Sequence, residues 1–410
     1  MPEPSGVRSP HRARLRRLLL SGLVLWSLLL ATAAGAAPRI AVLTMHPGEI
    51  FFERFGHNAL VVADPATGAA ISYNFGYFDP AEPDFLPRFI RGDMQYQLVA
   101  QPLEQDLAYY RHVGRGVDIQ WLDLEPDVAV ELAAQLEWNA RPENARYGYD
   151  YFLDNCSTRV RDALDAALGG QLRAQMAGSR GSTYRSEATR LARPAPWMWL
   201  GFDLGLGPSA DRPLSLWDEA FVPMRLQAEL RRARGTDGRP LVIHEERILP
   251  HRLPPEPAEQ PRRWWPWLLG GVLLATAAGG LLRQRPRLGA TFALAFWLLC
   301  AVLAGLMLFI WLGTEHRFGW ANRNVLVFSP LCVLLLPGAL QLMRGRTPGR
   351  WFQWLVWLPV ATTVVAWFIH GLSRFPQQDL HWILALLPIH AALAWAWGRV
   401  SRPGPAAPGR

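Results

Sequence analysis

The spacing of apolar positions divides the chain into two unlike parts. Up to about residue 262, apolar residues follow short alternating or i, i+4 patterns, which predict the strands and helices of an α+β domain. Five apolar segments follow, each long enough to cross about 30 Å of hydrocarbon. These segments are residues 264–282, 288–312, 324–343, 351–372 and 380–398. The pattern therefore predicts a water-soluble domain followed by an all-α transmembrane bundle of about five helices.

A β-hairpin is predicted near the start of the soluble part. Residues 55–62 and 70–75 are strand-like, and the turn-forming segment 64–68 lies between them. His57 then falls on the first strand of the hairpin and Asn74 on the returning strand. A histidine on a strand is often only a structural group, so its role depends on what it faces.

A helix beginning beside a cysteine is the most informative local pattern. Val160, Leu164 and Leu168 recur at i, i+4 and i+8, and Asn155 before them is a favourable N-cap residue. Cys156 therefore falls in the first turn. There the unpaired backbone N–H groups and the positive end of the helix dipole favour a thiolate, and they lower a pKa that is about 8.5 in free cysteine.

Three other stretches of the soluble part have recognisable patterns. Strands are predicted over residues 92–99 and 119–124, and their alternating patterns indicate that they pair with each other. Glycine, proline and aspartate recur between residues 197 and 218, which indicates a loop.

The domain organisation follows from these patterns and from the chain's first residues. The N-terminus has basic residues, an apolar run and an alanine-rich end, as in a secretory signal peptide or a retained anchor. We expect a signal peptide or N-terminal anchor (1–37), a periplasmic domain (38–244), a charged and proline-rich linker (245–263), a transmembrane helical domain (264–398) and a cytoplasmic tail (399–410).

The positive charge indicates a membrane and excludes nucleic acid as the expected partner. All basic residues are arginines, the formal net charge is +8, and the arginine clusters lie beside apolar runs. Segments 283–287, 344–350 and 399–410 would all be cytoplasmic if the soluble domain is periplasmic, in agreement with the positive-inside rule. The expected location is the bacterial inner membrane, crossed several times, with the soluble domain in the periplasm.

One loop of the membrane part carries an unusual set of polar residues. In this orientation residues 313–324 face the periplasm, on the same side as Cys156. Polar groups at a membrane boundary often line a cavity or bind headgroups, although ordinary solvation of a loop would also explain them. The polar residues concerned are Glu315, His316, Asn322 and Asn324.

The chemistry that the soluble residues support best is nucleophilic catalysis by a thiol. Cys156 is the only cysteine of the soluble part. A thiol nucleophile needs a base and a third group that orients the base, for which we expect His57 and Asn74, with Asp79 as the next choice for the third. Cys156 would instead be structural if it were an inert buried thiol. A metal site is not expected because one cysteine and scattered histidines lack ligand spacing, and no cofactor motif is present.

Several motifs together resemble a known family. They are Gly56-His57-Asn58-Ala59-Leu60, Tyr73-Asn74-Phe75-Gly76, Asp154-Asn155-Cys156-Ser157-Thr158-Arg159, Gly201-Phe202-Asp203-Leu204-Gly205-Leu206-Gly207 and, in the membrane part, Glu315-His316 followed by Asn322 and Asn324. Over about residues 38–400 the chain resembles Lnb-type bacterial lipoprotein N-acyltransferases. The string around Cys156 is the most specific part of this resemblance.

The resemblance implies a fold and a reaction. The fold would be a permuted NlpC/P60-like, papain-like thiol domain, with Cys156 as the nucleophile and His57 as the base. Cys156 would take a fatty acyl chain from a glycerophospholipid and pass it to the N-terminal amine of a lipoprotein. The motif residues expected to contact substrate are Tyr73, Asn155, Arg159, Glu315, His316, Asn322 and Asn324. The third catalytic position stays open in this comparison.

The sequence also fits two other functions. The same Cys156–His57 pair would serve a thiol hydrolase or peptidase that acts on cell-envelope substrates. Alternatively, the chain would be a membrane-anchored binding module without enzymatic activity, in which Cys156 is structural. Reactivity of the Cys156 thiol at neutral pH separates the enzymes from the binding module.

Overall fold

The structure, a computed structural model, describes residues 36–400. The predicted signal peptide or anchor therefore lies almost wholly outside the described residues, as does most of the predicted cytoplasmic tail. The strands are β1 (Arg39–Met45), β2 (His57–Ala63), β3 (Ala70–Tyr77), β4 (Met94–Pro102), β5 (Val117–Leu122), β6 (Arg146–Tyr149) and β7 (Val242–Leu249).

Helices follow and separate these strands. Those of the first part are α1 (Phe85–Arg91), α2 (Leu103–Val113), α3 (Pro126–Asn139), α4 (Cys156–Ala167), α5 (Gln171–Gln175), α6 (Tyr184–Ala192), α7 (Pro196–Gly205), α8 (Leu216–Glu219) and α9 (Pro223–Leu230). Those of the second part are α10 (Trp265–Gln284), α11 (Pro286–Gly313), α12 (Asn324–Phe328), α13 (Leu336–Met343), α14 (Phe352–Leu355), α15 (Leu358–Leu372) and α16 (Leu380–Val400).

The first part is built on one antiparallel sheet of seven strands. Their order is β6-β4-β3-β2-β1-β5-β7. β2 and β3 form the predicted hairpin, in which Val61 pairs with Ser72. His57 is the first residue of β2 and pairs with Met45 of β1. The α+β class and the position of His57 on the hairpin are both confirmed.

Helices cover both faces of the sheet. Successive side chains of a strand point to opposite faces, and both faces of this sheet carry apolar side chains that the helices bury. On one face, Leu60 of β2 packs with buried residues of α3 and α4, including Leu132 and Leu164. On the other face, Val61 packs with Leu107 of α2. The start of β2 therefore lies between two hydrophobic cores, which fix its position.

Two expectations about strands were wrong. Strands β4 and β5 do not pair with each other, since β4 lies between β3 and β6 whereas β5 lies between β1 and β7. An alternating pattern shows which face of a strand is buried, but it does not select the neighbour. β7 also extends to Leu249 and pairs with β5, so residues 245–249 belong to the sheet and not to the linker. Its charged side chains on a half-exposed edge gave it the composition of a linker.

The second part contains five helical segments that are long and apolar enough to cross a membrane. They are Trp265–Gln284, Pro286–Gly313, Asn324–Met343, Phe352–Leu372 and Leu380–Val400. They agree with the five predicted segments. The third is interrupted by a 3-10 helix at Pro330–Leu335, where Pro330 lacks the N–H that a continuous helix needs.

Helix α7 joins the two parts. The carboxylate of Asp203, in its last turn, is fully buried and forms an ion pair of 2.7 Å with Arg262. It also accepts hydrogen bonds from His381 (2.7 Å) and from the Trp382 indole (2.8 Å), both at the start of α16. The C-terminal end of α7 is therefore fixed to the membrane part.

Candidate active site

Cys156 is the first residue of α4, and the preceding asparagine sets this position. The Asn155 side chain accepts hydrogen bonds from the backbone N–H groups of Ser157 and Thr158, each at 2.9 Å, and Thr158 Oγ1 accepts the N–H of Asn155 at 2.7 Å. This reciprocal cap defines where the helix starts. The Cys156 thiol is free and partly exposed.

The structure brings His57 to the sulfur of Cys156. The two side chains line the same cavity and influence each other's pKa, although they are 99 residues apart in the chain. Gly76, whose left-handed φ of 91° favours glycine, lies beside the Cys156 side chain. Ser157 Oγ lies 2.8 Å from Asn58 Oδ1, which ties the start of α4 to β2.

Asn74 holds the other side of the imidazole. His57 Nε2 lies 3.0 Å from Asn74 Oδ1, so the Nε2–H donates to the amide oxygen and the other ring nitrogen is left for Cys156. The amide orientation is fixed because Asn74 Nδ2 donates to Ser72 Oγ and to Asp106 Oδ2, each at 2.9 Å. Asp79, the other choice for the third group, is exposed and bonds within its own turn.

Asp106 is a supporting residue that the sequence did not reveal. It lies on α2, is 4% exposed, and its carboxylate accepts from both Ser72 and Asn74. No motif surrounds it. The one signal was an acidic residue at a position where the helix faces the sheet, and this becomes visible only when strand order is known.

The electrostatics of the pair favour a thiolate beside an imidazolium. Burial alone lowers the pKa of His57, but the adjacent Cys156 sulfur and the Asp106 carboxylate outweigh it, so the pKa is raised. Burial alone raises the pKa of the Cys156 thiol, but the charge and hydrogen bond of His57 outweigh it, so the pKa is lowered. Hydrogen bonds from the backbone N–H groups of Asn58 and Ser157 lower it further.

The sulfur opens into an apolar cavity of about 310 Å³. Its wall is formed mainly by aromatic side chains from distant parts of the chain: Phe51, Phe52, Phe55, Phe75, Phe78, Tyr96, Tyr149, Tyr151, Phe152, Trp197, Phe202 and Phe221. Sequence reasoning missed this wall. The available signal was the density of aromatic residues between positions 51 and 96.

Part of the cavity wall comes from a segment that was expected to be a loop. Residues 196–205 form helix α7, whose first turn contributes Trp197 and Met198 to the cavity. Pro196 at the first helical position favours the start of this helix. The glycines that suggested a loop are therefore partly helical, and Gly201 has open space next to it.

A second cavity, of about 720 Å³, connects the site to the membrane part. It shares Tyr149, Tyr151, Phe152, Gly201 and Phe202 with the first cavity and is also lined by Ile310, Glu315 and His316. His316 Nε2 donates to the carbonyl of Phe89 at 3.0 Å, and its ring stacks on Tyr151. Glu315 and His316 thus lie beside the candidate site, and their contact with substrate stays a prediction.

Of three other residues expected to contact substrate, Tyr73 and Arg159 line neither cavity, whereas Asn155 lines the first one. Tyr73 is part of the hydrophobic core on the sheet face opposite Asn74. Asn155 uses both its oxygen and its amide group inside the protein, where the amide donates to the carbonyls of Tyr151 and Phe221. Arg159 forms an ion pair with Asp154 through two hydrogen bonds. All three side chains therefore have partners inside the protein.

Asn322 and Asn324 join the two parts of the molecule and do not line either cavity. Asn322 Nδ2 and Asn324 Nδ2 both donate to the carbonyl of Leu204, at 2.6 and 3.2 Å. Gln377 Nε2 donates to Asn322 Oδ1 at 3.0 Å. Both asparagines are buried. They therefore hold the last turn of α7 in place.

Comparison with known proteins adds one finding. Residues 28–189 match the protein-family model described as the Lnb N-terminal periplasmic domain. The match includes His57, Asn74 and Cys156. No curated protein and no solved structure matches the chain. Within residues 36–400, no group of three or more His, Cys, Asp or Glu side chains is arranged to hold a metal ion.

Proposed function

We propose that this chain, which carries a match to the Lnb N-terminal periplasmic domain and five helices able to cross a membrane, is an Lnb-type thiol acyltransferase. The observation that carries this proposal is the Cys156–His57 pair at the mouth of an aromatic cavity. That cavity is apolar and suits a fatty acyl chain. The adjoining cavity leads from it to the membrane part.

The first step forms a thioester. The Cys156 thiolate attacks the carbonyl carbon of a fatty ester in a membrane glycerolipid, and the C–S bond forms as the C–O bond breaks. The His57 imidazolium gives its proton to the departing glycerol oxygen. The products are an acyl-Cys156 thioester and a lysolipid, and His57 is left neutral.

The second step forms an amide. The α-amino group of a lipoprotein's N-terminal cysteine attacks the thioester carbonyl, the C–N bond forms and the C–S bond breaks. Neutral His57 takes the proton that the amine loses, which restores the thiolate–imidazolium pair. Asn74 keeps the imidazole in the required orientation during both steps. Glu315 and His316 lie where the second substrate would enter.

The test uses the full chain in detergent micelles with a diacylated lipopeptide and a phospholipid that carries an isotope-labelled acyl chain. We expect an N-acylated lipopeptide and an acyl adduct on Cys156 by mass spectrometry. Cys156→Ala should lose both products, whereas Cys300→Ala keeps the active-site thiol and should retain both. Label in the amide identifies the phospholipid as donor, and an unlabelled amide identifies the lipopeptide's own ester.

Other outcomes would contradict the proposal. Amide formation by Cys156→Ala would exclude the thioester route. Free fatty acid without an amide, or cleavage of muropeptides, would make the chain a thiol hydrolase. A Cys156 thiol that does not react with iodoacetamide at neutral pH would favour a binding module.

A further inference from the structure

A third cavity, of about 590 Å³, lies on the other side of helix α7. Trp199 of α7 and Trp267 of α10 flank it, with their rings stacked at a centroid distance of 6.2 Å. It shares no lining residue with the cavity at Cys156. We call it the arginine cleft.

The lining of the arginine cleft holds three more arginines than carboxylates, and three carboxylates outside the lining pair with some of these arginines. Its lining includes the six arginines Arg180, Arg190, Arg193, Arg225, Arg262 and Arg263 and the three glutamates Glu187, Glu219 and Glu259. Each glutamate is already in an ion pair with a lining arginine. Arg262 is paired with Asp203. Glu229 and Glu256, also outside the lining, pair with Arg180 and Arg190. Among the described residues, Arg193 and Arg263 are therefore the lining arginines without a carboxylate partner.

Over residues 36–400, three arginines of the cleft have groups without a partner. Among the residues that the structure describes, neither Arg193 nor Arg263 forms an ion pair, and Arg193 donates only to the carbonyl of Ala258, at 3.1 Å. Arg190 is 6% exposed, and its Nε has no hydrogen-bond partner in the described part of the chain. A buried donor without an acceptor is costly unless a ligand supplies one.

The position of the cleft indicates what kind of anion it would bind. Arg262, Arg263 and Trp267 lie at the start of α10, the first membrane-spanning candidate, and Trp264 and Trp265 are exposed there. Tryptophans at the end of a span lie at headgroup level. Arginines at that level pair with phosphate through charge-assisted hydrogen bonds.

We propose that the arginine cleft binds the phosphate of an anionic glycerophospholipid from the periplasmic leaflet. The two indoles flank the headgroup, and Arg193 and Arg263 supply the free charge. This lipid is separate from the acyl donor, because α7 stands between the cleft and Cys156. The inference requires only that α10 crosses the membrane, so it does not depend on the acyl-transfer reaction.

The experiment measures lipid bound to the intact chain by native mass spectrometry from detergent. Phosphatidylglycerol is the probe, with phosphatidylcholine as the zwitterionic comparison and inorganic phosphate as a competitor. The test variant is Arg193→Gln/Arg263→Gln, whose side chains break no ion pair. The matched control is Arg111→Gln/Arg141→Gln, which removes the same charge from exposed positions outside the cleft.

We expect phosphatidylglycerol to bind better than phosphatidylcholine to the wild type and the control. The test variant should bind phosphatidylglycerol about tenfold more weakly, as the loss of charged contacts to phosphate implies. Equal binding by the test and control variants would overturn the proposal, as would equal binding of the two lipids. Displacement by millimolar inorganic phosphate would show a site for free phosphate instead. Acyl transfer measured on the same samples would report separately on the reaction at Cys156.

Discussion

His57 Nε2 and Asn74 Oδ1 lie 3.0 Å apart, and this hydrogen bond decides which ring nitrogen faces the sulfur of Cys156. Asn74 cannot rotate its amide without losing Ser72 and Asp106 as acceptors. The imidazole is therefore held in one tautomer when neutral and in one orientation when charged.

Asn74→Ala tests the importance of this orientation. The imidazole would lose its hydrogen-bond acceptor, and we expect kcat for acyl transfer to fall by about 10- to 100-fold. This is less than the full rate enhancement from general acid–base catalysis, because His57 itself remains. KM should change little, because Asn74 acts through His57. Steady-state kinetics over a range of pH would measure both. Asn144→Ala, at a position away from the site, is the control, and unchanged kinetics in Asn74→Ala would remove Asn74 from the mechanism.

The reactivity of Cys156 should persist at unusually low pH. Because its pKa is lowered, the thiolate is lost only when the pH falls through that lowered value, which lies below the ordinary thiol value of about 8.5. The raised pKa of His57 keeps the imidazolium charged until the pH rises past it. Rates of iodoacetamide alkylation of Cys156 against pH would show this.

His57→Ala provides the comparison for that profile. Without the imidazolium, the alkylation curve should move toward the ordinary range of a thiol, whereas His112→Ala, at an exposed histidine of α2, should leave it unchanged. A wild-type curve centred on the ordinary thiol pKa would contradict the ion pair.

Gly201 tests whether the aromatic cavity holds the acyl chain. A side chain at this position meets open space and would extend into the cavities that Gly201 lines. Gly201→Phe should reduce formation of the acyl-enzyme by about tenfold or more, equivalent to about 1.4 kcal/mol. Alkylation by the small reagent iodoacetamide should continue.

Gly201→Ala is the matched control. It adds only a methyl group, should keep the activity, and should stabilise the helix by up to about 1 kcal/mol because alanine has the higher helix propensity. Intact-mass kinetics and thermal unfolding would measure the two effects. Full acyl-enzyme formation by Gly201→Phe would show that the chain binds elsewhere.

Asp203→Ala tests the attachment of α7 to the membrane part. The change leaves Arg262 and His381 without their carboxylate partner. We expect the free energy of unfolding to fall by about 3 kcal/mol, the lower end of the range for a broken buried ion pair, because Arg262 is partly exposed. Thermal unfolding in detergent would measure it. Glu143→Ala, at an exposed residue, should change stability by less than about 0.5 kcal/mol.

The pH dependence of this attachment follows from the same carboxylate. Burial raises the pKa of Asp203, but His381, Arg262 and Arg185 lower it by more, to about 2. A lowered pKa gives stability that is fully present above the ordinary value of 3.8 and is lost as the pH falls toward 2. Between pH 5 and 8, the free energy of unfolding should therefore show no pH dependence from this group. A transition in that range that Asp203→Asn abolishes would contradict this.

Local patterns predicted where Cys156 and His57 lie, because the position of each residue is set by its sequence neighbours. The i, i+4 spacing and the Asn155 cap located Cys156 at a helix start, and the turn after β2 located His57 on a hairpin. The five apolar segments were visible for the same reason. Short-range periodicity is a direct consequence of helix and strand geometry.

Long-range contacts could not be predicted in this way. The cavity wall combines residues from position 51 to position 221, and the support of Asn74 by Asp106 requires that α2 cover the sheet. Asn322 and Asn324 looked like substrate contacts because they are polar at a membrane boundary. Their partner, the carbonyl of Leu204, is more than a hundred residues away.

The fixation of α7 at its last turn has a consequence for the geometry of the reaction. The first turn of α7 lines the cavity at Cys156, and its last turn is hydrogen-bonded to the membrane part. Helix α7 thus fixes the distance of the Cys156 sulfur from the membrane-spanning helices, and the length of the segment after β7 does not set it. In the proposed reaction, the ester carbonyl of the lipid must therefore move out of the bilayer to reach Cys156.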